Sequence, residues 1–181
     1  VESSGYAARR AEIRAWNARS PVLKRGIALT PVKFGISFTT VHYNQAGALL
    51  HIYSDGSIML NHGGIEMGQG LYTKVAQVVA EELQVDIETI KITATVTDKV
   101  PNTSPTAASS GSDLNGKAAQ AAAITLKQRL TDFAAEYYEV SESEIEFLPS
   151  QVRVGEQFMP FRDLVMNAYL NRIQLSATGY Y

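Results

Sequence analysis

Hydrophobic and polar positions along the 181-residue chain change period several times. Leu71, Val75, Val78, Val79 and Leu83 recur at helical spacing and predict a helix directly after Gly63-Gly64-Ile65-Glu66-Met67-Gly68-Gln69-Gly70. Leu126, Leu130, Phe133 and Tyr137 mark one face of a longer helix, capped by Ser112 or Asp113, whose small residues from Ala118 to Ala123 permit close backbone packing. Phe161, Leu164, Val165, Ala168 and Tyr169 define a last helix that starts at Pro160. An Ala-, Arg- and Glu-rich stretch from Tyr6 to Arg19, closed by Ser20-Pro21, predicts a first one whose four arginines coat a solvated face.

Elsewhere the texture is that of strands. Ala48-Leu49-Leu50-His51-Ile52-Tyr53 and Ile58-Met59-Leu60 flank Ser54-Asp55-Gly56-Ser57, a hairpin signal because glycine accepts positive φ. The aromatic and β-branched stretches 26–29 and 33–41 predict further strand, so that residues 34–60 make a meander. Residues 90–96 alternate with period two, and Gln151-Val152-Arg153-Val154 precedes a turn at Gly155-Glu156. Between them, residues 98–112 hold two prolines and many hydroxyls but little that could build a core, which predicts a long ordered loop or a tail. The expected class is α+β, a largely antiparallel sheet with helices packed on one face.

Composition narrows the chemistry. A net charge of −2 lacks the basic excess of a nucleic-acid binder. The absence of cysteine excludes thiolate catalysis, disulfides and iron–sulfur ligation within this chain. No apolar run approaches the ~20 residues of a membrane span. The start Val1-Glu2-Ser3-Ser4 has neither an initiator Met nor a signal pattern, so the chain reads as a piece of something longer.

Two segments are candidates for chemistry. The loop 63–70 has glycine at four of eight positions and empties into a helix N-terminus, where backbone amides and a positive dipole end can approach a ligand; its plainer reading is a tight turn. Gln69 offers a donor and an acceptor together. Glu66 is tempting as a general base, but a carboxylate there equally holds loop amides, and that structural role is preferred. The second candidate is Pro101 to Ser112, whose small residues let a flat ligand lie against main chain, against a plainer reading as a surface connection. His42, His51 and His62 show no metal-ligand spacing and read as structural.

Five stretches together resemble the molybdenum-binding part of the xanthine dehydrogenase family. They are Phe34-Gly35-Ile36-Ser37-Phe38-Thr39, Asn44-Gln45-Ala46-Gly47-Ala48, His62 to Gly70, Val100 to Ser109, and Asp113-Leu114-Asn115-Gly116, with Leu175 to Tyr181 matching as well. The resemblance covers nearly the whole chain. It implies that residues 1–181 are a single molybdopterin-binding (sub)domain, a fragment of a longer cytoplasmic subunit. That enzyme would hydroxylate hypoxanthine and xanthine to urate with water-derived oxygen and pass electrons through 2Fe-2S clusters and FAD, on other regions or chains of a higher oligomer, to NAD. A molybdenum hydroxylase of aldehydes or other N-heterocycles, and a non-catalytic binding module, are the alternatives. Neither nucleic acid nor membrane is an expected partner.

The resemblance also assigns residues. Phe38 would contact the purine ring and Thr39 hydrogen-bond the substrate, while Ala107 and Ala108 leave room for it. Gly68, Gln69, Gly70, Ser109, Ser110 and Gly111 would hold the cofactor, with no direct metal ligand in the chain. The family's general base is a glutamate in a Gly-Glu-Pro setting. Here Gly155-Glu156 runs into Gln157, so that group is expected beyond Tyr181 and this piece alone is expected to be inactive.

Overall fold

In a computed structural model that describes residues 2–100 and 102–181, β1 (Gly47–Ile52) and β2 (Ile58–His62) form the hairpin that Asp55-Gly56 signals. Gly56 takes φ 86°, and the Asp55 carboxylate accepts from both the amide and the hydroxyl of Ser57. From β2 the Gly-rich loop leads into α2 (Leu71–Leu83), which buries Leu71, Val75, Ala76, Val79 and Leu83. The chain returns as β3 (Ile90–Ile92), parallel to β2.

That strand is shorter than the alternation over 90–96 predicts. Beyond Ile92, Thr93 Oγ1 bonds the Asn61 side chain, and Thr95 Oγ1 donates to the carbonyls of His62 and Gly64. Thr93 N still donates to the Leu60 carbonyl, and past that bond hydroxyls rather than a backbone ladder hold the segment to β2.

The described residues of the loop 98–112 are a connection tied back to the fold, with Ser104 N donating to the Gln45 carbonyl, and Pro101 lies outside the described residues. It ends in α3 (Gly111–Tyr138), which begins earlier than a Ser112 or Asp113 cap predicts and has Ser110 at its N-cap without a side-chain cap. Ala118, Ala119, Ala122 and Ala123 are fully buried, and a Cβ on Gly179 would lie 2.0 Å from the Ala118 carbonyl oxygen. Gly179 belongs to β7 (Ser176–Tyr180), an edge strand antiparallel to β1 that its small, weakly alternating residues conceal in the sequence. The sheet order is β3-β2-β1-β7, with α3 against β1 and β7 and α2 beside α3.

A second sheet was not apparent in the sequence as a unit. β4 (Ile145–Leu148), β5 (Gln151–Val154) and β6 (Gln157–Pro160) form an antiparallel meander, followed by α4 (Phe161–Leu170). Two expected core aromatics, Tyr137 and Tyr169, are instead half or more exposed. The architecture is α+β, with two mostly antiparallel sheets in place of one.

The chain divides into a unit through Gly35 and a unit from Ile36 to Tyr181. In the first, α1 (Tyr6–Arg19) buries no residue and exposes Arg9, Arg10, Arg14 and Arg19. The expected strands over 26–29 and from Lys33 do not form, because no neighbouring strand pairs with them and Pro31 lacks an amide donor. Asn17 instead bonds both backbone groups of Arg25, whose guanidinium lies 4.1 Å over Trp16. In the second unit, residues 36–46 form no strand and hold only a single 3-10 turn, Val41–Tyr43, so the meander is reduced to the β1–β2 hairpin.

Candidate functional site

The Gly-rich loop is the β2–α2 connection, outside the carboxyl end of β2, where ligands of α/β units commonly bind. Facing it is the hydroxyl-rich loop before α3. The Ile65 amide donates to Thr106 Oγ1 at 2.9 Å, and a Cβ on Gly63 would lie 2.0 Å from Thr103 Cγ2. At Gly111 a Cβ would only touch Leu71 and Thr106, at 3.5 and 3.7 Å. The two side-chain-poor segments therefore converge, and glycine at 63 is what permits the close approach.

The amides of the first loop are largely spoken for. Glu66 Oε1 accepts from Gly68 and Gly70 at 2.8 and 3.0 Å, and Oε2 from Tyr72 at 3.0 Å. The Tyr72 amide above all, then those of Gly70 and Gly68, hold the Glu66 carboxyl below its ordinary value. A carboxylate of the chain itself thus occupies the positive end of α2, the structural role preferred for Glu66. What Gly68 and Gly70 provide is open space, since a Cβ at either would meet nothing within 4 Å. Gln69 folds over the same loop, accepting from Met67 N at 2.6 Å and donating to the Ile65 carbonyl at 2.8 Å. One N–H and one lone pair of its amide remain for a ligand.

On the second loop, Ala107, Ala108 and Ser109 are exposed and Ser110 is buried, its amide and hydroxyl both donating to the Ala107 carbonyl. Ala108 and Ser109 take φ of 55° and 53°, a left-handed pair that non-glycine residues adopt at a cost. The Ala108 carbonyl accepts from Ser37 N at 3.1 Å, and Ser104 N donates to the Gln45 carbonyl. These bonds bring the segment carrying Phe38 to the same place. Phe38 is half-buried, edge-on to Tyr43 at 5.5 Å, and Thr39 beside it is exposed.

Beneath the loops lies His62, 1% exposed, with Nδ1 accepting from Gly64 N and its ring edge-on to Tyr72. Burial lowers its pKa to about 4, so it is neutral at pH 7. Among the described residues, the buried side-chain polar atoms without a partner are His62 Nε2 and Asn115 Oδ1, and both residues border Gly64. No group of three or more His, Asp or Glu among the described residues could hold a metal ion. Thr106, Asn115 and His62 take part in building the site, although no local spacing marks them.

Residues 1–181 match the family model of the molybdopterin cofactor-binding domain. The chain belongs to that family. This molybdopterin cofactor-binding domain is 45% identical over 181 residues to xanthine dehydrogenase of Calliphora vicina and 44% identical to xanthine dehydrogenase/oxidase of Mus musculus. It is also 44% identical to a nicotinate hydroxylase of Emericella nidulans. The chain spans 12% of the length of each of these relatives. Quinoline 2-oxidoreductase from Pseudomonas putida 86 superposes with a TM-score of 0.69 at 25% identity, over 76% of this chain and 19% of that one. The CO dehydrogenase of Oligotropha carboxidovorans, at 22% identity, shares the fold with a TM-score of 0.71 over 99% of this chain and 25% of that one.

The site fits a flat, polar cofactor. Open glycine faces at 68 and 70, the remaining amide capacity of Gln69, the exposed backbone of 107–109 and the unpartnered buried polar atoms nearby give it room and hydrogen-bonding groups.

Proposed function

We propose that this domain forms one wall of the molybdenum site of a purine hydroxylase of the xanthine dehydrogenase kind, converting hypoxanthine and xanthine to urate with water-derived oxygen. The observation that carries the reading is the convergence of loops 63–70 and 102–112 beside Phe38, in a chain 45% identical throughout to a xanthine dehydrogenase. Bound molybdopterin supplies a metal centre that transfers the oxygen and takes two electrons from the heterocycle.

The chain's own residues bind and orient. Gly68 and Gly70 leave space for the cofactor, Gln69 offers its free N–H and lone pair, and Ser109 and Gly111 line the opposite side; Ser110, expected there from the sequence, is buried with its amide and hydroxyl both spent on the Ala107 carbonyl and holds the turn instead. Phe38 presents a ring that a purine meets in offset or edge geometry, and the Thr39 hydroxyl is a hydrogen-bond partner for its polar edge. Ala107 and Ala108 keep substrate space clear. The acid–base group comes from elsewhere in the protein, as do the 2Fe-2S clusters and FAD that carry electrons to NAD, in a cytoplasmic assembly of several subunits. No described helix is long and apolar enough to cross a membrane.

The nicotinate hydroxylase relative at 44% identity supports a second reading, hydroxylation of another N-heterocycle. Assaying the complete protein decides. Molybdenum near one atom per protomer with urate formed from xanthine is expected. Molybdenum with turnover of nicotinate but not xanthine favours the second reading, and a metal-free protein would leave a non-catalytic binding module.

A further inference from the structure

We infer that Asn44 is a positioning residue for the substrate wall, clamping the backbone of Phe38 so that its ring is held at a fixed angle. This rests on the reading of Phe38 as the aromatic substrate contact. Asn44 Oδ1 accepts from Phe38 N at 2.8 Å, and Asn44 Nδ2 donates to the Phe38 carbonyl at 2.9 Å. Both bonds are half-buried and together close a ring around one residue, as a paired strand would, in a segment with no strand beside it.

The clamp stands between two anchors. On one side, Asn44 N bonds the Val41 carbonyl, which closes the short turn Val41–Tyr43 and brings Tyr43 edge-on to the Phe38 ring. On the other, Ala46 exchanges both backbone hydrogen bonds with Tyr181, which ties it to the sheet next to β1. Ser37, at φ 83°, reaches the Ala108 carbonyl and so leaves the Phe38 backbone turned toward Asn44. Without the amide side chain, the segment stays tied at Ser37 and at the Thr40 carbonyl, which accepts from Tyr43 N, but the Phe38 backbone between them loses both of its side-chain hydrogen bonds and the ring keeps only its edge contact with Tyr43. Phe38 then samples several orientations, and a planar substrate loses a pre-set contact.

The test uses the complete enzyme in five forms: wild type, Asn44→Leu, Asn44→Asp, Phe38→Ala and the double variant Phe38→Ala/Asn44→Leu. Asn44→Leu is expected to keep its molybdenum, speed amide hydrogen exchange at Phe38, and lower kcat/KM for xanthine about tenfold, mainly through KM. Asn44→Asp, which retains the acceptor for Phe38 N, should recover part of that loss. The double variant should be no worse than Phe38→Ala alone, because Asn44 acts through Phe38.

Unchanged exchange at Phe38, or losses that add in the double variant, overturn the inference. Loss of molybdenum in Asn44→Leu and Asn44→Asp alike also overturns it, since the side chain would then serve the cofactor. If wild type forms no urate, the functional reading fails separately, and exchange at Phe38 still decides whether the clamp exists. Should Asn44→Leu not fold, the Asn44→Asp comparison carries the same two readouts.

Discussion

The hydroxyl of Thr106 accepts a 2.9 Å hydrogen bond from the amide of Ile65 across 41 residues of chain. It is a direct link between the two loops that face the candidate site. Thr106→Val keeps the shape and removes the acceptor, leaving the Ile65 amide to find another partner. A loss of about 1 kcal/mol in chemical denaturation is expected, with faster amide exchange at Ile65. Unaltered exchange there would mean that the loops are held together by other contacts.

Gly63 sets how closely those loops pack. A methyl group there would overlap the Thr103 side chain, so Gly63→Ala should destabilise by roughly 1–3 kcal/mol, and Thr103→Gly in the same chain should restore part of it. At Gly179 the obstruction is backbone of α3, which no side-chain substitution relieves. Gly179→Ala should therefore be the more damaging of the two by thermal denaturation.

The conformational stability should depend on pH through His62. Its imidazole titrates near 6.5 in an unfolded chain and near 4 when folded. Between these values the unfolded chain binds the additional proton, so stability is full above about pH 6.5 and declines as the pH is lowered toward 4, by about 3 kcal/mol in all. Protonating Nδ1 also removes the acceptor for Gly64 N. His62→Gln should flatten this part of the stability profile, and superimposable profiles for the two proteins would contradict the assignment.

Glu66 acts in the opposite sense. Its folded pKa lies below the ordinary value, so its contribution is present above about pH 4.5 and lost as the pH falls through the lowered value. Glu66→Ala should increase exchange at Gly68, Gly70 and Tyr72 together, because one carboxylate serves all three amides.

The elements with strong internal periodicity were legible in the sequence: α2 from its apolar face, the β1–β2 hairpin from Asp55-Gly56, and α3 from Leu126, Leu130 and Phe133. What escaped depends on distant partners. β7 is a strand because β1 lies beside it, and residues 26–29 and 33–41 look like strand but find no such neighbour. The same division holds for the site. Glycine content and the Gln69 amide stand out locally, whereas the roles of Thr106 and Asn44 come from side chains that bond backbone far along the chain or across a turn.

We propose that the loops around residues 68 and 108 together hold the molybdopterin. A crystal structure of the complete protein, with anomalous difference density collected at the molybdenum edge, tests it most directly. The pterin is expected within hydrogen-bonding distance of both Gln69 and the 109–111 backbone, with the metal peak beside Ala107 and Ala108. A metal peak and pterin remote from either loop would contradict the account.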